Sequence, residues 1–436
     1  MLKEAYLAAR IAKCALTEGP REAKKRLRAY RKEQADRLVP PVEIPEIAPI
    51  VPREAAGGRE APARLNLLIP SVNRGDMYGG IATALRFLEL LAAETGMETR
   101  MVVTNMETRD SVLGAEYVTV KPGEDSAAPR QAVDLSAREG TLPTRRRDVW
   151  VCTGWWTACI ARVLIRWQQA AYGEAEPNPS VYLIQDYEPG FYPWSSRWLL
   201  AESTYHPDVP VLAAVNTGLL MAHLEREGCR LAAAYVFEPE LNPGLRAALP
   251  EPPRARKKKQ VLVYGRPGTP RNAFELAGLT LRELIRTTPE AREWRYLSAG
   301  EAHPPIDLGE GVSLTGVGKL SLEEYARVMT ESWAGLSLMV SPHPSYPPLE
   351  MAAFGMKVVT NRFGGKDLSG WSENIFCPEV CTPAAAAALL AEILKGYREE
   401  EIAWTVPEDY ARGSGQLARA AAGIAAELKE RMQARE

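Results

Sequence analysis

The sequence predicts an α/β protein of two domains, each built on a parallel sheet. The chain has 436 residues, which is too long for one compact core and suits two domains. From residue 64 onward, short apolar runs alternate with helical segments, as in parallel sheets. The predicted strands are residues 65–70, 99–103, 149–153, 181–185, 211–215, 234–237, 261–265, 295–299, 312–316, 335–340, 357–360 and 374–377.

A charged, proline-bearing stretch divides these strands into two sets of six. It spans residues 251–259 and reads Glu-Pro-Pro-Arg-Ala-Arg-Lys-Lys-Lys, which predicts a hinge between domains. We therefore place an N-terminal α/β domain at residues 64–248 and a C-terminal one at residues 249–400. Residues 401–436 have a helical pattern, which predicts helices after the second domain.

The first 63 residues precede both domains and predict a basic helical arm with a proline-rich linker. Residues 1–38 combine apolar positions with many Arg and Lys residues, and Gly19-Pro20 predicts a break between two helices. Residues 39–63 are rich in proline, which favours an extended, semi-rigid linker. The arm fits contact with a membrane surface or partner, dimerisation, or a solvated helical face.

The composition is typical of a globular protein and argues against several classes. Hydrophobic residues make up 46% and charged residues 25%, with a net charge of −2. This near-neutral balance argues against nucleic acid as the main partner. No apolar run approaches the ~20 residues that span a bilayer, and no signal-peptide pattern opens the chain. The six scattered cysteines lack metal spacing, so we expect a cytoplasmic protein.

The stretch Ser341-Pro-His-Pro-Ser-Tyr-Pro-Pro-Leu-Glu-Met-Ala-Ala-Phe-Gly355 is the most informative motif. It lies between two predicted strands, and Pro347 is suited to the first turn of a helix. The amides at a helix N-terminus beyond the carboxyl end of a sheet form a phosphate site. Glu350 would repel a diphosphate unless it accepted hydrogen bonds from sugar hydroxyls. The motif therefore predicts a pocket for a nucleotide sugar.

The same motif resembles that of GT-B glycosyltransferases of family 4, whose donor-binding domain carries a pair of spaced glutamates. Glu350 matches the second glutamate. Pro342 stands where the first would fall, and the neighbouring His343 does not replace a glutamate, because it is not a carboxylate. The whole phrase is more similar to WsaF-like rhamnosyltransferases, which build bacterial S-layer and surface polysaccharide glycans from dTDP-rhamnose. The resemblance covers roughly residues 64–400.

This resemblance implies a GT-B fold, in which two Rossmann-like domains face each other across a cleft. The N-terminal domain would bind the acceptor and the C-terminal domain the donor. The last helix would cross back onto the N-terminal domain. The basic arm would then be an addition to the fold.

Two basic residues end predicted strands of the C-terminal half. Arg266 can neutralise a diphosphate bidentately, and Lys319 can act as a point charge on it. The resemblance implies that an Arg and a Lys at these strand ends hold the leaving diphosphate. Taken alone, each could be an ordinary exposed basic residue. Here, however, Arg266, Lys319 and Glu350 all stand at the positions that correspond to the Arg, the Lys and the second Glu of the family pattern.

Three further residues are candidates for donor binding. Tyr346 can hydrogen-bond a phosphate or stack on the donor, and equally can cap the domain as an amphipathic side chain. The amides near Pro347 would add to phosphate binding. Arg271, before the next helix, is a weaker candidate.

The N-terminal half contributes a glycine pair and an acidic, aromatic segment. Gly79 and Gly80 follow the first strand and allow close approach of a ligand. Glycine pairs are also common in turns before helices that bind no ligand. Asp186, Tyr187 and Glu188 follow the fourth strand, with aromatic residues beyond them. They are candidates for acceptor binding, and Asp186 or Glu188 is a candidate general base. The alternative is an ordinary loop with an aromatic anchor.

Together these features predict a metal-independent glycosyltransferase without a cofactor. We expect transfer of L-rhamnose from dTDP-L-rhamnose to a glycan or lipid-linked glycan at the inner face of the membrane. The sequence has no Asp-x-Asp motif for a divalent ion and no dinucleotide fingerprint after the first strand. The alternatives are the same fold acting on a UDP- or GDP-sugar, a non-catalytic scaffold, and a nucleotide-sugar epimerase.

Overall fold

The computed structural model describes residues 43–47, 50–77, 79–250, 256–399 and 406–433. The predicted basic arm at residues 1–38 and the first five residues of the predicted hinge, 251–255, lie outside the described residues. Residues Pro45–Ile47 form one 3-10 turn.

The N-terminal half contains ten strands, of which eight form one parallel sheet. The strands are β1 Val51–Glu54, β2 Arg64–Ile69, β3 Glu98–Val103, β4 Val118–Val120, β5 Arg130–Asp134, β6 Thr141–Thr144, β7 Asp148–Cys152, β8 Ser180–Ile184, β9 Val211–Asn216 and β10 Ala233–Phe237. The large sheet has the order β10-β9-β8-β7-β2-β3-β5-β4, and β1 pairs with β6 separately. Every residue of β2 and β9 is buried, as expected for strands covered on both faces.

Five helices belong to this half: α1 Gly79–Thr95, α2 Trp155–Tyr172, α3 Ser196–Ser203, α4 Gly218–Arg226 and α5 Pro243–Ala247. Hydrophobic clusters lie on both faces of the sheet. One includes Leu88 and Leu91 of α1, and the other includes Leu164 and Ile165 of α2. The sheet is therefore covered by helices on both faces.

The C-terminal half contains a seven-stranded sheet. Its strands are β11 Lys258–Gly265, β12 Arg295–Gly300, β13 Ile306–Gly309, β14 Val312–Gly318, β15 Ser332–Leu336, β16 Lys357–Val359 and β17 Ile375–Phe376, in the order β13-β14-β12-β11-β15-β16-β17. All neighbours are parallel except β13 and β14. The helices that follow the hinge are α6 Phe274–Thr287, α7 Leu322–Glu331, α8 Tyr346–Ala353, α9 Pro383–Lys395, α10 Glu408–Arg412 and α11 Gln416–Gln433.

All twelve predicted strands are present, but the prediction of six strands in each half is wrong. The prediction missed β4, β5 and β13 in the two large sheets. Burial alternates along β5, so it has no continuous apolar run. Strand β13 is joined to β14 by Glu310 and Gly311, whose φ angles of 53° and 77° fit a tight two-residue hairpin.

The segment predicted as a linker contains a strand. Residues Val51–Glu54 form β1 and pair in parallel with β6. Three of the four β1 residues are exposed, so the strand lacks a buried face that the sequence pattern could reveal. The proline at its second position is tolerated because one edge of this small sheet is unpaired.

The last helix, α11, packs on the N-terminal half. Its residues Leu417, Ile424 and Leu428 belong to the same hydrophobic cluster as Leu88 of α1. The C-terminal end of the chain therefore crosses from the second sheet to the first. No helix among the described residues is long and apolar enough to cross a bilayer.

Candidate active site

The site lies where the carboxyl ends of the two sheets meet. In the C-terminal sheet, Arg266 follows β11, Lys319 follows β14, and residues 337–345 lead from β15 into α8. Parallel strands bring their carboxyl ends to one edge, so these segments share that edge. In the N-terminal sheet, Asp186 lies just beyond β8 and Asn216 ends β9, and both contact the C-terminal half.

The loop before α8 is held in an unusual backbone conformation. Ser345, which precedes the helix, has a φ of 70°, a region that costs free energy for a residue with a side chain. Tyr346 begins α8, and Pro347 and Pro348 are buried in its first turn. The Tyr346 hydroxyl accepts a hydrogen bond of 2.8 Å from the Asn216 amide. Tyr346 therefore bridges the two halves.

Glu350 lies on α8 among tyrosine side chains. Burial raises its pKa to about 7, and the neighbouring Tyr325 phenol lowers it in part. The Tyr325 hydroxyl is buried beside Glu350. The charge of Glu350 also acts on Tyr264, at the end of β11. A ligand hydroxyl that donated to Glu350 would stabilise its charged form.

Arg266 and Lys319 differ in their surroundings. Arg266 Nε lies 3.2 Å from Glu301 Oε1, and both side chains are about one-third exposed. Lys319 is exposed and follows Gly318, whose φ of 68° favours glycine. That turn ends β14 and sets the direction in which the chain leaves the sheet edge. Both cations lie at the carboxyl edge of the C-terminal sheet.

Gly79 and Gly80 form the N-terminus of α1. Both are exposed, and a Cβ at Gly79 would meet no atom within 4 Å. The Gly80 carbonyl accepts a hydrogen bond of 3.0 Å from Gln185, just beyond β8. Gly79 therefore has open space beside it, whereas the Gln185 side chain lies against Gly80.

Asp186 connects the two halves. The Ser341 hydroxyl donates to Asp186 Oδ1, and Arg271 Nε lies 3.7 Å from Asp186 Oδ2. The Arg271 guanidinium also lies over the Phe191 ring, 4.2 Å from its centroid. Arg271 is thus a contact between the two halves as well as a cation at the sheet edge.

Tyr187 and Glu188, predicted to bind the acceptor, face the interior of the N-terminal half. The Tyr187 hydroxyl donates to Glu202. Glu188 Oε2 accepts from the backbone N–H of Trp155, the first residue of α2, and from the Tyr182 hydroxyl at 2.9 Å. Burial raises the pKa of Glu188 to about 8. In this conformation Glu188 holds the start of α2 in place.

The aromatic segment beyond Glu188 reaches the surface. Trp194 is 91% exposed and stacks on Trp198 with 5.6 Å between ring centroids and 13° between planes. Phe191, three residues earlier, contacts Arg271 in the cleft. The two tryptophans therefore lie a short distance along the chain from the cleft wall.

The sequence reasoning missed four residues that the structure brings to the site: Ser341, His343, Asn216 and Tyr325. Ser341 and His343 belong to the motif that was identified, but their types carry no signal for an inter-sheet contact. Asn216 directly follows the predicted strand at residues 211–215, and a polar residue just after an apolar run was the available signal. Tyr325 lies on α7, far from Glu350 in sequence, and nothing in the sequence pairs them.

Among the described residues, no group of three or more His, Cys, Asp or Glu side chains is arranged to hold a metal ion. The described cysteines are unpaired. Burial raises the pKa of the Cys152 thiol well above its usual range.

Comparison with known families identifies the chain. The family of WsaF N-terminal domains matches residues 64–218, and the family of WsaF C-terminal domains matches residues 259–391. The chain belongs to the WsaF-like GT-B glycosyltransferases. The two matched segments contain the two large sheets apart from β10 and the first residue of β11, so this WsaF-like chain has the two-domain Rossmann-like GT-B fold.

One curated relative is also similar to this chain in sequence. The O-antigen biosynthesis protein RfbC of Myxococcus xanthus is 32% identical over 289 residues, which are 66% of this chain and 21% of that protein. The chain thus spans about a fifth of the length of this relative.

Solved structures share the fold at low identity. Sucrose-phosphate synthase from Thermosynechococcus elongatus is 14% identical, with a TM-score of 0.50 over 84% of this chain and 94% of that one. An α,α-trehalose 6-phosphate synthase from Burkholderia multivorans is 10% identical, with a TM-score of 0.51 over 86% of this chain and 98% of that one. These similarities establish the fold alone.

Proposed function

We propose that the protein transfers a sugar from a nucleoside-diphosphate sugar, dTDP-L-rhamnose, to a growing cell-surface glycan. The observation that carries this proposal is the meeting of two sheet edges. One edge carries Arg266, Lys319 and Glu350, and the other carries Asp186. Membership of the WsaF-like family supports the donor, and the relative named for O-antigen biosynthesis supports the glycan product.

The donor edge provides the electrostatic part of the reaction. Arg266 and Lys319 stabilise the negative charge that develops on the departing diphosphate, without a metal ion. Amides in the first turn of α8, near Pro347, add hydrogen bonds to phosphate oxygens. Glu350 accepts a hydrogen bond from a hydroxyl of the ribose or deoxyribose. Tyr346 borders the same pocket.

The edge of the N-terminal sheet binds the second substrate, the acceptor. Gly79 and Gly80 allow phosphate or sugar to approach the backbone of α1. Asp186, at the cleft, is the candidate general base if the reaction inverts the anomeric carbon. The exposed ring of Trp194 offers a flat apolar face to a sugar of the acceptor. Closure of the two halves over the substrates excludes water and protects the donor from hydrolysis.

The location and assembly of the protein follow from the same proposal. A lipid-linked acceptor would bring the chain to the cytoplasmic face of the membrane as a peripheral protein. The basic arm at residues 1–38, which the structure does not describe, is the proposed contact with anionic lipid or with a second copy. Removing residues 1–38, which leaves β1 in place, and measuring molecular mass and liposome binding separates these two roles.

The decisive experiment is calorimetric titration of the protein in EDTA with dTDP, UDP, GDP and NAD. Binding of dTDP in preference to the others is the expected result and justifies an assay with dTDP-L-rhamnose and rhamnose-containing acceptors. Preference for UDP or GDP would keep a transferase but discard rhamnose. Binding of none of the four would contradict the proposal.

A non-catalytic nucleotide- or glycan-binding scaffold is a second candidate, favoured by one observation. Pro342 stands where the family 4 pattern has its first glutamate. Such a scaffold would bind dTDP without forming product. Product analysis with donor and acceptor therefore distinguishes it from a transferase.

The role of Glu350 gives a direct prediction. Glu350→Ala removes a carboxylate that accepts hydrogen bonds from the donor, and charge-assisted bonds contribute roughly 1.5–3 kcal/mol each. We expect kcat/KM to fall by about 100-fold or more. Steady-state kinetics measures the loss, with the exposed Glu323→Ala on α7 as the matched control. Full activity of Glu350→Ala would remove Glu350 from the site.

A further inference from the structure

His343 carries a buried hydrogen-bond donor that the folded chain does not use. Its Nδ1 accepts a hydrogen bond of 3.0 Å from the backbone N–H of Ser345. A neutral imidazole that accepts at Nδ1 bears its proton on Nε2. Nε2 is buried and has no hydrogen-bond partner among the described residues.

The imidazole stays neutral in the physiological range. Burial lowers the pKa of His343 to about 4, and the charges of Arg271 and Lys366 lower it further while Asp186 opposes them. The residue is only 3% exposed. A buried N–H without a partner costs about 1–3 kcal/mol, so a ligand that accepted this hydrogen bond would recover that cost.

The surroundings of His343 fit an oxygen-rich, anionic ligand. The ring lies 5.5 Å from that of Tyr346, in the first turn of α8. Lys366 Nζ, whose pKa burial lowers to about 8, donates to the Met339 carbonyl at 2.6 Å. Asp186 is the acidic group that faces this cluster, and its oxygens are engaged by Ser341 and Arg271. The remaining positive charge suits a diphosphate and its attached sugar.

Contacts between the two halves flank the loop that carries this donor. Ser341, two residues before His343, donates to Asp186, and Arg271 lies against Phe191. We expect loosening of these contacts to make residues 341–345 more accessible to a ligand.

We propose that Nε2–H of His343 donates a hydrogen bond to an oxygen in the diphosphate–sugar part of a nucleotide-sugar ligand. This role rests on the proposed function, because it requires a nucleotide sugar in the cleft. It assigns a binding residue at the position beside Pro342, where the acidic residue of the related motif is lacking. The neutral donor binds an oxygen without the repulsion that a carboxylate would bring to a diphosphate.

Two near-isosteric variants separate ligand binding from support of the loop. In His343→Asn, the side-chain oxygen can take the place of Nδ1 and accept from Ser345, but the Nε2 donor is lost. In His343→Gln, the amide nitrogen can take the place of Nε2 and donate, but the bond to Ser345 is lost. The two variants therefore remove the two functions of the ring one at a time.

The test is calorimetric titration of the unaltered protein and both variants with dTDP, dTDP-L-rhamnose, UDP and UDP-glucose. We expect His343→Asn to weaken binding of the preferred nucleotide sugar about tenfold, and His343→Gln to stay within about threefold. Equal weakening for the nucleotide alone places the accepting oxygen on the diphosphate. Weakening confined to the nucleotide sugar places it on the sugar.

Other outcomes overturn the role. If His343→Asn binds as tightly as the unaltered protein, or if both variants lose the same factor, the ring acts only through the loop. In either case the proposed function stands, because the unaltered protein still binds. If the unaltered protein binds none of the four ligands, the proposed function fails, and this role of His343 fails with it.

Discussion

Burial raises the pKa of two glutamates in this protein, Glu350 and Glu188, but their surroundings differ. Burial raises the pKa of Glu350 to about 7 and that of Glu188 to about 8. Glu188 is bonded to the start of α2 and to Tyr182, within one half. Glu350 lies on α8, at the carboxyl edge of the C-terminal sheet, where we propose that it binds the donor. The position of each carboxylate, rather than its pKa, therefore separates a structural role from a binding role.

The raised pKa of Glu188 predicts how stability depends on pH. The unfolded chain titrates near 4.5 and the folded one near 8, so the folded state binds more protons between these values. The stability that protonated Glu188 contributes is complete below pH 4.5 and is lost as pH rises through 8. Glu188→Gln keeps a neutral acceptor for the Trp155 N–H and cannot ionise. We expect its stability advantage over the unaltered protein to grow from pH 5 to 8.

Chemical denaturation at pH 5, 6, 7 and 8 measures this advantage, which should reach a few kcal/mol at the highest pH. The matched control is Glu238→Gln, because Glu238 is exposed and accepts at its carboxylate from the Gly218 backbone N–H at 2.8 Å. Parallel pH profiles for Glu188→Gln and the unaltered protein would contradict a buried, protonated Glu188.

At the scale of elements, the segment from Phe191 to α3 joins the cleft to the surface. Phe191 contacts Arg271 of the other half, and Trp194 and Trp198 stack at the surface. The intervening residues are few, so the stacked pair lies close to the cleft rim. A flat aromatic face so placed fits a sugar of the acceptor that lies beyond the reacting one.

Loss of this aromatic face should affect the acceptor and not the donor. Trp194→Ala removes the exposed ring, and we expect KM for a glycan acceptor to rise about fivefold to tenfold while the KM of the donor is unchanged. The matched control is Leu199→Ala, because Leu199 is 65% exposed on α3. Initial rates at varied acceptor and donor measure both constants. If the acceptor KM of Trp194→Ala equals that of the unaltered protein, the tryptophan pair is not part of the acceptor site.

A loss of liposome binding in Trp194→Ala, with the acceptor KM unchanged, would assign the pair to the membrane surface instead. Exposed tryptophans favour that interface because one part of the ring is apolar and the N–H is polar. The two measurements on one variant therefore separate the two partners.

At the scale of the whole molecule, a few polar contacts join the two halves at the cleft. They include Ser341 with Asp186, Asn216 with Tyr346, and Arg271 with Asp186 and Phe191. The groups come from the carboxyl ends of strands in both sheets. We expect substrate entry to open these contacts and closure to re-form them.

Removing one of these contacts should loosen the closed arrangement without unfolding either half. Arg271→Ala removes a partly buried cation that interacts with a ring and a carboxylate, contacts that stabilise by roughly 1–2 kcal/mol. We expect faster hydrogen exchange in residues 186–191 and 338–346, and a larger radius of gyration in small-angle scattering. The control is Arg282→Ala, because Arg282 is exposed and bonds only the Asp307 carbonyl. Unchanged exchange in Arg271→Ala would show that this contact does not hold the halves together.

The strands of this fold were predictable wherever they are buried on both faces. Strands such as β2 and β9 are continuous apolar runs, and each was predicted. Strands β1 and β5 were not predicted. Most of β1 is exposed, and the two buried residues of β5 are Gln131 and Val133, which do not form an apolar pattern. The start of α8 was predicted from Pro347, since proline fits a first helical turn.

The candidate site was predictable only in part. Arg266, Lys319 and Glu350 carry a motif in their own sequence neighbourhood, and the fold brings their segments to one edge. Their roles in binding remain predictions. The inward orientation of Glu188 could not be read from the sequence, because it depends on Tyr182 and on the N-terminus of α2, which only the folded sheet brings near.

The sequence by itself determined the two-part α/β architecture and membership of a glycosyltransferase family, and it predicted the sheet edge at which a ligand would bind. It could do so because burial patterns and strand-end motifs are local along the chain. Only the tertiary structure decided which residues face each other across the cleft. Ser341 meets Asp186, Tyr346 meets Asn216, and His343 keeps an unused donor. These relations join residues far apart in sequence, and their geometry is fixed by the packing of two sheets rather than by any local pattern.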